Sequence, residues 1–372
     1  ALRWAGGELA PGGDHLMLMG ITRPLQPGED VTITLTFEDG SGVHDLMRLF
    51  ALNRKNLRGH AWQRPLRRLR RALWRRHQAN PLGVAAANAR HHYDLSTDLY
   101  RLFLDDGLNY SCAVFDDPAR DTLEQAQLNK LERICQKLDL KPEDHLLEIG
   151  TGWGSMAIYA ATHYGCSVTT TTLSREQHAH TARRIRELGL EDRVTLLLED
   201  YRDLQGQYDK LVSIEMIEAV GHRFLPTYFK QCAHLLKDDG LMLLQAITIR
   251  DQRYEQACKS VDFIQRYIFP GGALPSMHKM LDVITRHTDF NLHHMEDFGL
   301  HYARTLRLWH ANLQHARHVL EQLGYDAYFY RLWEFYLCYC EGGFLERTIG
   351  TAQLLLAKPG ARPAPLLGHF GA

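Results

Sequence analysis

Residues 146–159, LLEIGTGWGSMAIY, have the pattern of a strand, a glycine turn and a helix. An apolar run reaches Ile149, glycines follow at positions 150, 152 and 154, and apolar residues recur from Met156 onward. Glycines permit a tight turn with positive φ and let a ligand approach bare backbone. The stretch therefore predicts a βα unit whose turn is either a ligand-binding loop or a purely structural turn.

The acid before the first glycine narrows the choice of ligand. Glu148 ends the predicted strand, and the glycines are spaced G-x-G-x-G instead of the G-x-G-x-x-G that places a pyrophosphate at a helix N-terminus. This spacing favours a cofactor without phosphates. The pattern E-x-G-x-G-x-G resembles the first motif of class I methyltransferases, whose loop contacts the amino-acid part of S-adenosylmethionine. Dinucleotide binding is the alternative.

Length and composition are those of a globular protein. A chain of 372 residues can form one large domain with a smaller one, or two domains. Its formal net charge of −1 conceals a strongly basic segment at Arg54–His77. Seven scattered cysteines without C-x-x-C pairs argue against disulfides and structural zinc, so we expect no metal and a reducing cytoplasm. No stretch approaches about eighteen continuous apolar residues, which predicts a soluble or peripheral protein.

The N-terminal region differs from the remainder of the chain. Residues 1–42 predict a β-rich or irregular accessory segment, and residues 43–90 predict a basic helical region followed by a linker. Within Arg54–His77, apolar residues at positions 62, 66, 69 and 73 form one helical face, and arginines occupy much of the rest. Three interpretations stay open for this helix: a solvated face, contact with an anionic membrane, or contact with nucleic acid.

From residue 91 onward, short apolar runs alternate with segments of helical periodicity. Such alternation predicts a parallel, doubly wound sheet over residues 91–358. After Thr248 helical segments dominate, which predicts a helical insertion at about residues 250–345, with one strand near 292–298. A final strand, Gly350–Ala357, would close the sheet, and residues 359–372 would form a loose tail. The other predicted strands are 146–149, 167–172, 194–198, 210–216 and 241–248, and a helix is predicted from about Leu123 to Leu138.

Several separate motifs carry a family resemblance over roughly residues 91–358. They are HYDLSTDLYRLFLD from His92, LNYSCAVF from Leu108, LEIGTGWG from Leu147, TTLSREQ from Thr171, EDYRDL from Glu199, EMIEAVG from Glu215, YIFPGGALPS from Tyr267 and DFGLHYARTL from Asp297. With these motifs the sequence resembles the cyclopropane-fatty-acid synthase family, which includes the mycolic acid cyclopropane synthases. Within that family it is closest to the plant-like branch.

The resemblance implies both a fold and a reaction. The fold is α/β, with a doubly wound, seven-stranded Rossmann-like methyltransferase sheet and a helical insertion covering the acyl site. The reaction moves a methyl group from S-adenosylmethionine to the cis double bond of a phospholipid acyl chain, after which a proton leaves and a cyclopropane ring closes. The implied cofactor-binding residues are Tyr110, Ser111, Glu148, Gly150, Gly152, Gly154, Thr171, Leu173, Gln177, Asp200 and Tyr201.

The implied chemistry requires an apolar pocket and a base. Methyl transfer to an alkene creates a carbocation, which aromatic ring faces tolerate and water destroys. Tyr267 and Phe269 are the implied substrate-binding residues, whereas we expect Trp309 to be an ordinary core aromatic. The resemblance further implies a bound bicarbonate as the base, held by Cys112, Glu218, Ile247 and Tyr302.

Two positions depart from the pattern of the bacterial and mycolic family members. Gln245 stands where most of them carry histidine, and Glu215 stands where they carry glycine or another small residue. Glutamine can hydrogen-bond but cannot take up a proton near neutral pH. Either Gln245 keeps bicarbonate in place, or Glu215 occupies the bicarbonate position and is itself the base. Glu215 as an outward-facing strand residue is the third alternative.

The expected partners follow from the same resemblance. They are a phospholipid with an unsaturated acyl chain and an anionic membrane surface at the cytoplasmic, inner face of a membrane, with no nucleic acid, and a homodimer stays open. Other products or roles also stay open: a methyl-branched or methylene chain without ring closure, methylation of a small molecule, or a non-catalytic lipid-binding partner.

Overall fold

A sheet of seven strands organises the protein, in the order β3-β2-β1-β4-β5-β7-β6. The structure is a computed structural model that describes residues 43–52 and 95–363. The strands lie close to the bounds expected from the apolar runs. They are β1 His145–Ile149, β2 Ser167–Thr171, β3 Val194–Leu197, β4 Tyr208–Ile214, β5 Leu236–Ile249, β6 Asn291–Asp297 and β7 Ile349–Ala357.

The expected parallel arrangement holds for β1 to β5, and β7 departs from it. Neighbouring strands among the first five pair in parallel. Strand β7 lies between β5 and β6 and is antiparallel to both, with Ile349 opposite Ile249 at its start. The preceding helix ends at Leu345. So short a connection cannot cross the sheet, and β7 therefore begins at the carboxyl edge and runs back.

Helices cover both faces of the sheet and its carboxyl edge. The helix predicted at Leu123–Leu138 is confirmed, with the Thr122 hydroxyl accepting a hydrogen bond from Gln125 N at its N-terminus. The helices are α1 Val43–Leu52, α2 Thr97–Arg101, α3 Leu123–Leu138, α4 Ser155–Tyr159, α5 Arg175–Glu187, α6 Leu225–Leu235, α7 Asp251–Ala257, α8 Phe263–Tyr267, α9 Met277–His287, α10 Gly299–His315, α11 Arg317–Gln322 and α12 Ala327–Leu345.

Three apolar clusters hold these layers together. Two of them contain side chains from the sheet and from the helices packed on its faces. The third is rich in aromatic residues and joins α2, α10 and α12. Trp309 is fully buried in this third cluster, as expected for a core aromatic. The aromatic cluster therefore forms an apolar roof over one edge of the sheet.

Several sequence-based predictions fall outside the described residues. These are the accessory segment 1–42, the basic helix Arg54–His77, the linker before residue 91, and the tail beyond residue 363. Helix α1 is described, and it packs against α12 where Gly342 faces the backbone of Met47 and Arg48. Within the described ranges, every helix is too short or too polar to cross a bilayer.

Candidate functional site

The glycine loop after β1 forms one wall of a pocket at the carboxyl edge of the sheet. Gly150, Gly152 and Gly154 have φ values of +106°, +53° and +90°. A Cβ placed on Gly152 would meet nothing within 4 Å, so this backbone faces open space. Gly154 does not line the pocket, because its missing side chain makes room for Thr181, whose Cγ2 would lie 2.6 Å from an added Cβ. Two glycines thus shape the pocket and the third allows α5 to pack.

Ten of the eleven expected cofactor residues surround this single pocket. Gly154 is the exception. The residues brought together are Tyr110, Ser111, Glu148, Gly150, Gly152, Thr171, Leu173, Gln177, Asp200 and Tyr201. They come from the segment before α3 and from the carboxyl ends of β1, β2 and the segment after β3, where open α/β sheets bind ligands.

Glu148 is the penultimate residue of β1 and is buried beside the pocket. Its Oε2 accepts a hydrogen bond of 2.6 Å from the Thr170 hydroxyl. Burial raises the pKa of Glu148 to about 8, against the opposing effect of that hydrogen bond. A cation bound nearby would favour the ionised carboxylate, so this position suits a ligand that carries positive charge.

Two further expected cofactor residues are hydrogen-bonded to neighbouring side chains. The Gln177 Oε1 accepts a hydrogen bond from the Thr172 hydroxyl at 2.7 Å. The Asp200 carboxylate receives two hydrogen bonds from the Arg202 guanidinium, at 2.8 and 2.6 Å. Arg202 lines the pocket and was missed from the sequence. The bidentate pair holds Asp200 in one orientation at the pocket rim.

Lys130 is a second pocket residue that sequence reasoning missed. Its ammonium is buried and donates to Ser111 Oγ at 2.9 Å and to Asn109 Oδ1 at 3.3 Å. Burial lowers the pKa of Lys130, while nearby carboxylates oppose this effect. A signal was present, because Lys130 lies between Ala126 and Ile134 on the apolar stripe of α3.

Glu215 immediately follows β4, and its side chain enters the pocket. Its Oε1 accepts hydrogen bonds from Cys112 N at 3.0 Å and from Gln245 Nε2 at 2.9 Å. Its Oε2 accepts a hydrogen bond of 2.6 Å from the Tyr302 hydroxyl. The alternative of an outward-facing strand residue is therefore wrong. Glu215 adopts a φ of +51°, which turns the chain and directs the carboxylate inward.

Opposing effects act on the pKa of Glu215. Burial raises its pKa, while the hydrogen bonds from Tyr302, Gln245 and Cys112 N and the charge of Lys130 favour the ionised form. Cys112 contributes through its backbone: its thiol donates to Ala113 O at 3.3 Å, and burial raises the thiol pKa well above its usual value. Cys112 is thus a neutral thiol whose N–H points at the carboxylate.

Glu218 lies one turn further on and has a different environment. Its Oε1 accepts a hydrogen bond of 2.5 Å from Ile247 N. Burial, followed by the charge of Glu215, raises the pKa of Glu218 to about 8. The two carboxyl groups therefore differ in their surroundings, since burial raises the pKa of both but only Glu215 accepts three hydrogen bonds that favour its ionised form.

The two expected substrate-binding aromatics lie in different environments, one packed and one exposed. Phe269 packs against the aromatic cluster, with its ring centroid 6.3 Å from that of Tyr110. Tyr110 in turn lies 5.3 Å from Trp309 and shares a hydrogen bond of 2.8 Å between hydroxyls with Tyr336. Tyr267 is 48% exposed, because α8 directs it to the surface beside Arg266. Only Phe269 joins the wall that adjoins Tyr110.

The chain resembles known proteins in both its sequence and its fold. A family model described as mycolic acid cyclopropane synthetase matches residues 82–354. A model described as putative lipoprotein LpqE-like matches residues 5–45. The chain is 40% identical over 305 residues to tuberculostearic acid methyltransferase UfaA1 of Mycobacterium tuberculosis (strain ATCC 25618 / H37Rv), covering 80% of this chain and 70% of that protein.

Two further matches extend this comparison. The chain is 38% identical over 270 residues to cyclopropane-fatty-acyl-phospholipid synthase of Escherichia coli (strain K12), covering 72% of this chain and 67% of that one. The crystal structure of mycolic acid cyclopropane synthase CmaA1 complexed with SAH and CTAB superimposes with a TM-score of 0.69 at 32% identity. That match covers 76% of this chain and 100% of the other.

Proposed function

Because the chain belongs to the mycolic acid cyclopropane synthetase family of class I S-adenosylmethionine-dependent methyltransferases, we propose that it methylates the cis double bond of an unsaturated phospholipid acyl chain, with Glu215 as the proton acceptor. One observation carries this proposal. The Glu215 carboxylate is held by Cys112 N, Gln245 and Tyr302 inside the pocket that also contains the glycine loop.

The residues of the pocket suit S-adenosylmethionine. The open backbone at Gly152 leaves space for the amino-acid part, and Glu148 and Glu215 surround the pocket with carboxylates that a sulfonium would stabilise. Tyr110 and Ser111 would lie beside the sulfonium, and Gln177 would bind a ribose hydroxyl. When bound, the cofactor supplies an electrophilic methyl group.

Glu215 takes the role that the family resemblance gives to bicarbonate. A bicarbonate held by Cys112 N and Tyr302 would need the same donors that already bind the Glu215 carboxylate. Gln245, which replaces the usual histidine, donates to that carboxylate as well. The donor set therefore fits one anion, and in this chain the anion is a side chain. Ile247 N donates to Glu218 Oε1, which ties the turn after β4 to strand β5 beside Glu215.

Proton transfer to Glu215 balances the reaction. The methyl C–S bond would break with its electrons staying on sulfur, leaving S-adenosylhomocysteine, while the methyl group bonds to one alkene carbon and the adjacent carbon becomes cationic. Glu215 accepts a proton from the added methyl group, and the electrons of that C–H bond close a bond to the cationic carbon, giving a cyclopropane. Tyr110 lines the pocket, and the rings of Phe269 and Trp309 pack beside it, so the proposed cation would meet an aromatic wall that excludes water.

A methylene product is the second candidate. If a hydride first shifts to the cationic carbon, the positive charge moves to the methylated carbon, and loss of the same methyl proton gives an exocyclic methylene group. The 40% identity with a protein named tuberculostearic acid methyltransferase supports methylation without ring closure, just as the 38% identity with a cyclopropane-fatty-acyl-phospholipid synthase supports the ring. Both outcomes use Glu215 in the same way.

The proposed location is the cytoplasmic face of a membrane, where phospholipid acyl chains are accessible. Seven arginines between positions 64 and 76 would attract an anionic surface, at about 1 kcal/mol per basic residue near it. Nucleic acid is not a proposed partner, and a homodimer is compatible with this arrangement.

Incubation with S-adenosylmethionine and dioleoyl phosphatidylglycerol vesicles tests the proposal. Mass spectrometry should show acyl chains that have gained one carbon, and proton NMR of the product distinguishes upfield ring protons from the vinylidene protons of a methylene group. An unchanged acyl chain would refute lipid methylation. Release of S-adenosylhomocysteine with an added small molecule, but not with vesicles, would favour a small-molecule methyltransferase.

A further inference from the structure

A row of buried polar side chains runs from α3 across β7 and β5 and ends at Glu215. Lys137 on α3 donates to Gln353 Oε1 at 2.7 Å, and Gln353 Nε2 donates to Gln245 Oε1 at 3.0 Å. Gln245 Nε2 then donates to Glu215 Oε1 at 2.9 Å. Gln245 and Gln353 are opposite partners in the register of β5 and β7, and both are almost fully buried. The row therefore depends on sheet register.

Lys137 determines which group donates and which accepts in every hydrogen bond of this row. An ammonium can only donate hydrogen bonds, whereas a glutamine amide has an oxygen that accepts and a nitrogen that donates. Lys137 therefore orients Gln353 with its oxygen toward the ammonium and its nitrogen toward Gln245. That nitrogen in turn requires the oxygen of Gln245, which leaves the N–H of Gln245 facing the Glu215 carboxylate. Rotating either amide would place donor against donor.

We propose that Lys137 and Gln353 are positioning residues that hold the Gln245 amide as a hydrogen-bond donor to Glu215 and so keep Glu215 ionised for proton removal. This inference rests on the proposed role of Glu215 as the base. Without the lysine, Gln353 and Gln245 could rotate and present a carbonyl oxygen to the carboxylate. A carboxylate facing that oxygen is disfavoured unless it carries a proton.

An ion cluster holds the far end of the row. Lys137 is also bonded to Glu296 Oε2 at 2.6 Å, and Arg133 contacts Glu296 Oε1 at 2.6 Å. These cations lower the pKa of Glu296 to about 2, although burial opposes them. Glu296 is the register partner of Gln353 on β6, so one line of residues connects the edge strand with Glu215.

Other groups also act on Glu215 and must be kept constant in a test. The titratable groups that interact with Glu215 come from every element packed against it. They are Tyr302 on α10, Tyr336 on α12, Lys130 on α3, Cys112 before α3 and Glu218 in the turn after β4. Lys137 differs from these because it reaches Glu215 through two amides. Its substitution therefore leaves the immediate surroundings of the carboxylate chemically intact.

The test is a titration of Glu215 in the full chain without lipid or cofactor. Glutamate side chains are labelled with ¹³C at Cδ, and the Glu215 resonance is identified by its loss in Glu215→Gln. We expect Lys137→Met and Gln353→Leu each to raise the pKa of Glu215 by about one pH unit, the effect of losing one well-oriented donor to a charge. Lys137→Arg should restore a pKa close to that of the unsubstituted protein.

Lys358→Met is the matched control. Lys358 is likewise a buried lysine, follows β7 directly and pairs with Asp289 at 2.7 Å, but it belongs to a different network. Its loss should lower stability without moving the Glu215 titration. If Lys137→Met does not fold, Gln353→Leu decides the question, since leucine keeps a similar volume in the sheet.

The activity profile is a second and separate readout. The pH dependence of kcat is measured with S-adenosylmethionine and dioleoyl phosphatidylglycerol vesicles. In Lys137→Met its acidic limb should shift to higher pH by the same amount as the pKa of Glu215. An unchanged Glu215 titration in both Lys137→Met and Gln353→Leu would overturn the inference. A shifted titration in a protein that never methylates the vesicles would instead refute the proposed function and leave the row intact.

Discussion

The hydroxyl of Tyr302 donates to Glu215 Oε2 at 2.6 Å. This bond joins helix α10 to the turn after β4, and it links two residues separated by 87 positions. Burial raises the pKa of Tyr302 well above its usual value, so the hydroxyl stays a neutral donor across the working pH range. The roof over the sheet therefore contributes directly to the charge state of the proposed base.

Glu215→Gln should abolish proton removal while leaving cofactor binding largely intact. The amide keeps the shape of the side chain but cannot accept a proton, so kcat should fall about 10²- to 10⁴-fold. Isothermal titration with S-adenosylhomocysteine should show an affinity within a few-fold of the unsubstituted protein. Unchanged turnover would remove Glu215 from the mechanism.

Glu215→Gly should create a variant that small anions rescue. The residue has a φ of +51°, which glycine adopts without strain, so the turn should fold normally. The three donors that held the carboxylate would then face an empty space. Added bicarbonate or formate should increase the rate of Glu215→Gly in a saturable manner and leave Glu215→Gln unaffected. Equal responses of the two variants would contradict the donor-site interpretation.

Tyr302→Phe should shift the acidic limb of the pH–rate profile to higher pH. Removing the donor raises the pKa of Glu215, so the carboxylate becomes protonated, and activity is lost, at a higher pH than in the unsubstituted protein. The expected shift is about one pH unit, with little change in rate on the alkaline plateau. A uniform drop in kcat at every pH would instead indicate a structural role for Tyr302.

The unliganded protein should lose stability as pH rises. Burial raises the pKa of Glu148 and of Glu218 to about 8, above the value of about 4.3 for an unfolded glutamate. Each group therefore stabilises the folded state fully below about pH 4.3, and that contribution is lost as pH rises toward about 8. Glu148→Gln should flatten the decline of the unfolding free energy in urea titrations across this window. Parallel curves for the two proteins would show that Glu148 is not the source.

Two neighbouring glycines should respond differently to alanine. Gly154→Ala combines a φ of +90° with a contact of 2.6 Å to Thr181 Cγ2, and should lower stability by about 1–3 kcal/mol. Gly152→Ala meets no neighbour within 4 Å, so its stability cost should stay near the backbone strain of about 1 kcal/mol. Because its methyl group would enter the pocket, Gly152→Ala should instead weaken S-adenosylhomocysteine binding by about tenfold or more.

A second substitution separates these two effects. Thr181→Ser removes the Cγ2 atom that an alanine at position 154 would meet, so it should recover part of the stability lost in Gly154→Ala. Thermal unfolding and isothermal titration of the single and double variants provide the measurements. Comparable losses of cofactor affinity in Gly152→Ala and Gly154→Ala would show that both glycines face the ligand.

Local pattern was sufficient to predict the elements, and the family resemblance implied much of the pocket. Helix α3 has the predicted bounds, and the glycine loop has the expected positive φ values. Apolar periodicity and glycine spacing are local properties, and the carboxyl ends of parallel strands must meet at one edge. Residues placed there by motif, such as Glu148, Thr171 and Asp200, consequently line one pocket.

Strand direction and the register between strands could not be predicted from local pattern. The sequence pattern of β7 is that of any buried strand, and its antiparallel direction follows from the short connection after α12. Tyr267 and Phe269 are two residues apart in one motif, yet Tyr267 at the end of α8 is exposed and Phe269, beyond the helix, packs against the aromatic cluster. Lys130 and Lys137 look like ordinary helix lysines until the packing of α3 brings them to Ser111 and Gln353.

By itself the sequence determined the family, the αβ alternation and the side chains available at the carboxyl edge, because these depend on residue type and spacing along the chain. Only the tertiary structure decided that Glu215 is enclosed by donors from three distant segments and that a lysine orients the amides beside it. Those relationships depend on strand register, on a positive φ after β4, and on the packing of α10 over the sheet. Such contacts join residues far apart in sequence, and no local pattern specifies them.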